Sequence, residues 1–282
     1  MDSLTDLHTH SFASDGTMSP SEIVRMAKDA GLASIALTDH DTIDGLAEFK
    51  EAGVQYGIET IAGIELAAAY KNTELHIVGL FIDYENKELI SNMEYIVNER
   101  AERNERMLHI LNNIGIKISL EELEENAGGK IITRAHYANI MTEKGYVQNN
   151  AEAFSNYIGS GKPGYVKRKT LTPEKCITTI LNAGGVPILA HATLYGFNYL
   201  DIYQTVGELK EYGLMGMETI YSTYTGKQSM EMRKICRHYQ LLQSGGSDFH
   251  GTNKPDLSIG KGRGNLKIPQ EFAEKMKEAL HQ

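Results

Sequence analysis

"DLHTHSFASDG", residues 6–16, places two histidines and two aspartates within eleven positions, directly after a short apolar run. Residues i and i+2 of a strand face the same side. His8 and His10 can therefore aim at one point, with Asp15 returning toward it from the following loop. An H-x-H pair is a weak signal alone, because such pairs are more often solvated than metallated. Other segments repeat the arrangement. His40 ("TDHD") follows the strand-like run "ASIALTD", and Glu65 comes from "GIE". His76 comes from "LHIVG", His191 from "LAH", and Asp248 and His250 from "GSDFH". Nine candidate ligands are thus expected to follow strands at six places. In α/β barrels the C-terminal strand ends converge on one mouth. Singly, each residue has an ordinary explanation. His76 reads as a satisfied core histidine, and Asp39 and Asp41 read as caps of the next helix. Six of the ten histidines nevertheless share this position. The combined reading is a metal centre. His109 on a polar helix, His238 near a helix C-terminus and His281 at the tail read as ordinary surface residues.

The formal charge is −9, from 28 basic and 37 acidic side chains. An acidic surface disfavours long nucleic acids, whose affinity comes largely from phosphate neutralisation. An anionic ligand must then be small, or be held at a local positive site. Cys176 and Cys236 are far apart and form no C-x-x-C pair, which suits a reducing compartment. Cys176 continues an apolar helical pattern and is assigned to the core. The N-terminus has no basic region followed by a long apolar segment, so no secretory signal is read. No apolar run approaches the roughly 18 residues of a membrane span. The expectation is a cytoplasmic protein with no membrane association and no obligate protein partner.

Strand-like and helical runs alternate, which indicates a parallel sheet or barrel. "SPSEIVRMAKDAG" starts a helix with Ser19 as N-cap, Pro20 at the first position and Glu22 closing a capping box. "IETIAGIELAAAY" and "TELHIVGLF" read as two adjacent strands, a hairpin or a sequential pair. A long polar helix is expected over about 87–113, with others near 200–212 and 226–239. Residues 100–170 break the rhythm with several short helices. The domain reading is a barrel's first part over 1–99, a helical insertion acting as a lid over 100–170, and the barrel's second part over 171–282.

These motifs carry a resemblance. "DLHTHSFASDG", "ALTDHDT", "GIEL", "LHIVGL", "GGVPILAH" and "GGSDFHG" resemble, in order and nearly from end to end, those of the PHP-domain phosphoesterases. This is the polymerase-and-histidinol-phosphatase superfamily. "TRAHYANIM" and "YIGSGKPGYVKR" resemble the lid of its nucleoside 3′,5′-bisphosphate phosphatases. Ala192 departs from the family's frequent proline, without removing a ligand. The resemblance implies a distorted (β/α)7 barrel with a helical lid and three divalent metal ions. It assigns His8, His10, Glu65 and Asp248 to one ion and Glu65, His76 and His191 to a second. Asp15, His40 and His250 would hold the third. Mn2+ is the family expectation, and the imidazole and carboxylate mixture also suits Fe2+ or Zn2+.

Three carboxylates against three divalent ions leave about three positive charges, a pocket suited to phosphate. Clustered ions lower the pKa of water and neutralise charge on a leaving oxygen, so activated water is the expected nucleophile. The general acid stays open between a solvent molecule, His191 and His136. Arg134, His136, Lys162 and Arg168 are the expected grip on a second phosphate, Arg by a bidentate fork. Lys167 and Lys169 beside them read equally well as solvated loop. "NERAERNERM" reads as a salt-bridged helix face, and Tyr221 and Tyr224 as candidates to stack on a base. The function expected is hydrolysis of the 3′-phosphate of bisphosphates such as pAp, and of short RNA from its 5′ end. The alternatives are a histidinol-phosphate phosphatase and a non-catalytic metal-binding module.

Overall fold

The computed structural model describes residues 3–128 and 131–281. Seven strands form one sheet whose spatial order is the chain order. β1 (Thr5–Asp6), β2 (Ser34–Leu37) and β3 (Glu59–Tyr70) are parallel. β4 (Thr73–Leu80) runs antiparallel to β3 and to β5 (Val186–Leu189). β6 (Gly216–Tyr221) and β7 (Leu242–Gly246) continue parallel to β5. The sheet then closes. Leu7 N donates to Gly245 O at 3.2 Å, Asp248 N donates to His8 O at 2.9 Å, and Thr9 bridges Phe249 in parallel. Closure gives each of the seven strands a neighbour on both sides. The architecture is the distorted (β/α)7 barrel with helices outside. Its distortion is β4, reached through a hairpin turn at Lys71 (φ +50°) instead of a crossover helix.

The helices are α1 (Pro20–Asp29), α2 (Leu46–Tyr56), α3 (Lys87–Asn113), α4 (Leu120–Ala127), α5 (Arg134–Glu143), α6 (Asn150–Ala153), α7 (Pro173–Asn182), α8 (Tyr199–Glu211), α9 (Gly226–Tyr239) and α10 (Glu271–Leu280). Start signals in the chain set several of them. Ser19 and Glu22 form a complete capping box with Pro20 leading α1, and Thr172 caps α7 ahead of Pro173. Cys176 packs in the core from α7. No helix among the described residues is long and apolar enough to cross a membrane.

Strand periodicity sorts the side chains. Ala62, Ile64, Leu66 and Ala68 of β3 join the core beneath the helices, as do Leu75 and Ile77 of β4. The alternate residues Ile61, Val78 and Leu80 face inward with Leu7, Ala36 and Ile188, where α10 adds Ala273 and Met276. Glu65 and His76 share this inward parity. A further core, including Met107, Leu111, Leu123, Tyr137 and Met141, lies within the insertion. α3 serves both cores, burying Leu89, Met93 and Ile96 against the barrel and Met107 and Leu111 in the insertion. The chain thus passes from barrel to insertion within an unbroken helix.

One expectation needs correction. Glu65 and His76 do not follow strands but lie inside β3 and β4. β2 ends at Leu37, opposite Ala62, while β3 runs on to Tyr70 and carries Glu65 past that rim. There the loop after β2 meets it, through a parallel bridge between His40 and Glu65. Because β4 is antiparallel, its early residues, His76 among them, lie beside the late residues of β3.

The seam between β7 and β1 requires glycine. A Cβ built on Gly246 would stand 2.1 Å from His8 Cβ and 2.8 Å from His8 N. Backbone there cannot yield as a flexible side chain can. Gly246→Ala should destabilise the fold by at least about 1–3 kcal/mol, seen as a lowered denaturation midpoint. An unchanged midpoint would show that the barrel is not closed as described.

Candidate metal centre

Nine side chains from separate segments meet at the barrel mouth. Glu65, fully buried, is central. Its Oε1 lies 2.9 Å from both His76 Nδ1 and His191 Nε2. Its Oε2 lies 2.9 Å from His40 Nδ1 and 3.3 Å from both His8 Nε2 and His10 Nε2. Asp248 Oδ1 is 3.3 Å from His10 Nε2 and 3.8 Å from His8 Nε2. Asp15 Oδ1 is 3.3 Å from His250 Nε2 and 3.9 Å from His40 Nε2. Four groupings have donor atoms within 4.8 Å of one another: His10, Asp15, His40 and His250; His8, Glu65 and His191; His8, His10 and Asp248; His40, Glu65 and His76. Shared members show that the groups abut.

The donor chemistry fits divalent cations. His8 Nδ1 lies 2.8 Å from Glu218 Oε1, which places the ring proton there and turns the Nε2 lone pair inward. That Nε2 sits 3.0 Å from His10 Nε2. Glu65 Oε2 is buried without a hydrogen-bond donor, as are His10 Nδ1 and His191 Nδ1 without a partner. Leaving a buried polar atom unsatisfied costs about 1–3 kcal/mol. Cations between these nitrogens and carboxylates would relieve that cost at several atoms at once. Burial alone would raise the Glu65 pKa, but His40, His8 and His76 outweigh it and hold the group well below the usual carboxylate range. It is therefore an anion, the state a metal requires.

An outer set of residues aims the inner one. Glu218 also accepts from His191 N at 2.6 Å. His191 adopts φ +26° and Asp248 φ +55°, and such strain gathers where surroundings fix a functional side chain. Tyr221 donates to Asp248 Oδ2 at 2.5 Å, and Lys254 Nζ lies 2.5 Å from the same oxygen. Both Tyr221 and Tyr224 are buried, so neither presents an exposed face to a base. Ala192, buried, begins a short 3-10 turn that carries His191 without a proline.

Asp39 and Asp41 do not cap α2, whose N-cap is Gly45 without a side-chain bond. Asp39 accepts from the hydroxyls of Ser11 and Ser14, each at 2.6 Å, and burial pushes its pKa up to about 6. Asp41, at φ +53°, receives Arg100 and, at 2.9 Å, Arg168. Burial opposes its ionisation, yet Arg168 and Arg100 prevail and bring its pKa to about 2.

Beside the cluster lies a cavity of about 550 Å³. The barrel contributes Asp15, His40, His76 and His191, and the segment from α3 to the exit of the insertion contributes Arg100, Arg103, Arg134, Lys167 and Arg168. Arg134 lies over the rings of Tyr165 (5.4 Å) and Phe154 (5.9 Å). Two expected contacts are elsewhere. Lys162 is exposed and outside the lining, its backbone closing a turn onto Gly159 O. His136 is buried as the third residue of α5, where Nδ1 accepts from Thr133 N at 3.0 Å, completing the helix cap. It does not line the cavity.

Glu218, Asp41, Arg100 and Arg103 were not anticipated. The glutamates of "NERAERNERM" obscured its arginines, yet Met93, Ile96, Arg100, Arg103 and Met107 continue one buried stripe at helical spacing. Arg100 and Arg103 therefore belong to the buried face, not to a solvated one. Glu218 was visible only as a lone acid within the apolar run "GMETI".

Residues 6–176 match the PHP domain model, and the chain belongs to that family of phosphoesterases. It is 35% identical over 248 residues to a 5′-3′ exoribonuclease of Haemophilus influenzae, covering 87% of this chain and 89% of that protein. It is 32% identical over 260 residues to a 3′,5′-nucleoside bisphosphate phosphatase of Chromobacterium violaceum, covering 90% of each. A solved Bifidobacterium adolescentis structure, provisionally described as a metal-dependent phosphoesterase, superposes with a TM-score of 0.87 at 26% identity. That superposition covers 96% of this chain and 94% of the other. The protein is thus a hydrolase of phosphate esters with groups fit to bind metal.

Glu65 stands in contact with five imidazoles, so its charge should be essential to loading. Glu65→Gln is expected to lose most bound metal after gel filtration, by elemental analysis, together with turnover. Full metal content in a folded variant would place Glu65 outside the ligand set.

Proposed function

We propose that the protein removes the 3′-phosphate of nucleoside 3′,5′-bisphosphates, pAp giving AMP, and trims short RNA from its 5′ end at the same centre. The observation that carries this reading is a single cavity with two unlike walls. One wall holds four of the candidate metal ligands, Asp15, His40, His76 and His191, and the other holds four guanidiniums and Lys167. A simple phosphomonoester needs the first wall only. A nucleotide with a second phosphate uses both, and a 5′-phosphorylated RNA end presents the same pair of groups.

Three divalent ions, Mn2+ foremost with Fe2+ or Zn2+ as alternatives, are proposed for the cluster. His8, His10, Glu65 and Asp248 would hold one, Glu65, His76 and His191 a second, and Asp15, His40 and His250 the third. Such ions supply Lewis acidity, lowering the pKa of water and neutralising charge on phosphate oxygens. The chain's own residues do the rest. Arg134, pre-oriented over two rings, offers its fork to the phosphate that is not cut. Arg168 reinforces the same wall while tied to Asp41. Residues 100–170 act as the lid that excludes water. Tyr195 lines the cavity, but its hydroxyl donates to Ala190 O and accepts from His76 N, both at 2.9 Å, so it is not the proton donor. Two buried free thiols support a cytoplasmic place of action. Histidinol phosphate would set its cationic amine against the arginine wall, which counts against that alternative.

The test is phosphate release with Mn2+ from pAp, histidinol phosphate and a short 5′-phosphorylated RNA. The expected order puts pAp first, RNA measurable and histidinol phosphate last. A preference for histidinol phosphate would overturn the reading. Arg134→Ala should lower kcat/KM for pAp relative to a simple aryl phosphate by about tenfold or more, the worth of one charge-assisted contact. An unchanged ratio would remove Arg134 from substrate recognition.

A further inference from the structure

The four guanidiniums of the lid-side wall are not equivalent. Arg100 and Arg168 share Asp41, and Arg168 also approaches Glu74 Oε2 at 3.7 Å. Arg134 is partly exposed and rests on two aromatic rings. Arg103 has neither answer. It is 3% exposed, its Nη2 donates to Ile132 O at 3.1 Å, and its Nε has no partner. No carboxylate among the described residues pairs with it. Its charged neighbours are Arg100, Arg168 and Arg134. Burial, reinforced by these arginines, pulls its pKa down to about 9. A guanidinium withdrawn from water without a counter-charge is strongly disfavoured, so this one calls for an anion from outside the chain.

The wall's charge agrees. Four guanidiniums and Lys167 face two carboxylates, Asp41 and Glu74, which leaves an excess of positive charge suited to a phosphate. Arg103 is also rigidly placed. It lies one turn of α3 beyond Arg100, which is clamped to Asp41 beside His40. The next turn is fixed by Met107 in the insertion core. Its distance from the metal ligands is therefore set by the helix and not by a mobile loop.

We propose that Arg103 is the principal receptor for the phosphate that is not cleaved, the 5′-phosphate of the bisphosphate or of an RNA end. This rests on the function proposed above. Arg100 and Arg168, already neutralised by Asp41, hold the wall in shape, and Arg134 closes over the ligand from the rim. α3 then acts as a ruler. It accepts substrates whose second phosphate falls at a fixed distance from the cluster, and gives no such contact to a nucleotide whose only phosphate is the one that is cut.

The experiment compares pAp with adenosine 3′-monophosphate, which lacks the 5′-phosphate, using wild type, Arg103→Met and Arg103→Lys. Wild type should favour pAp. Arg103→Met should reduce the pAp to 3′-monophosphate ratio of kcat/KM by roughly ten- to a hundredfold, mainly through KM. Arg103→Lys, retaining charge but not the fork, should fall between. A second readout separates binding from structure. Without ligand, Arg103→Met should melt no lower than wild type, because an uncompensated buried charge has been removed. Product AMP should raise the Tm of wild type more than that of Arg103→Met. Should the Met variant fail to fold, Arg103 is structural and the proposal falls. A wild type that favours pAp, with both variants keeping that preference, overturns the role of Arg103 alone. A wild type with no preference for pAp overturns the underlying function instead.

Discussion

Glu65 lies wholly out of solvent with five imidazoles against its two oxygens, and this arrangement dictates much of the fold around it. The imidazoles come from β1's exit, the loop after β2, β4 and β5's exit. A carboxylate in such a place needs positive charge beside it, because an isolated buried anion is costly. Charging all five histidines would only replace one problem with mutual repulsion. Divalent ions held between the rings and Glu65 would satisfy both sides. The geometry can be held only if the strands close into a barrel, which explains why glycine is required where β7 meets His8. The hairpin that reverses β4 belongs to the same logic, since it lets His76 approach Glu65 from a neighbouring strand.

Asp41 extends this constraint to the helical insertion. Its Oδ1 accepts from Ala67 N at 3.0 Å on β3, and its other oxygen takes Arg100 and Arg168. Arg100 lies where the chain enters the insertion and Arg168 where it leaves. Both ends of that excursion are thus fastened to one residue, adjacent to the metal-ligating candidate His40. Two buried guanidiniums on one carboxylate form a coupled set in which removal of any member strands the others. The position of the insertion and the geometry of the candidate metal ligands are consequently linked through a single side chain. α3 supplies the stiffness between them.

The parts of this arrangement legible in the sequence were those that violate local expectation. Histidines in or beside apolar runs stand out because burying them needs a reason, so the nine-residue cluster is legible in the sequence alone. Capping boxes at Ser19 and the long helix over 87–113 were similarly plain. What stayed hidden depended on long-range pairing. Asp41 looks like a cap because a lone acid before a helix usually is one, and its arginine partners are 59 residues or more away. Arg100 and Arg103 were disguised by neighbouring glutamates, which on a helix normally mean a solvated charge ladder. Tyr221 looked available to a base, yet its hydroxyl is spent on Asp248. In each case local sequence offered a cheap partner, and the tertiary fold chose another.

The remaining tension is between an acidic protein and a phosphate-rich substrate, and the placement of charge resolves it. The chain carries nine more formal negative charges than positive ones, but a local excess of guanidiniums lines the cavity. A polynucleotide lying along the surface would release few counterions, because little basic surface neutralises its backbone. Attraction is concentrated at the cavity, where low-dielectric walls focus the field. About 550 Å³ is the scale of a small-molecule site, so the cavity would seat a terminal nucleotide and little more. For an RNA, each residue beyond the first would add repulsion without adding contacts. Under the proposed function, the end of the chain binds and the interior does not, so attack from a phosphorylated terminus follows from where the charge lies. The same distribution favours release of a trimmed strand, and it makes the mononucleotide bisphosphate and the RNA end variants of one substrate.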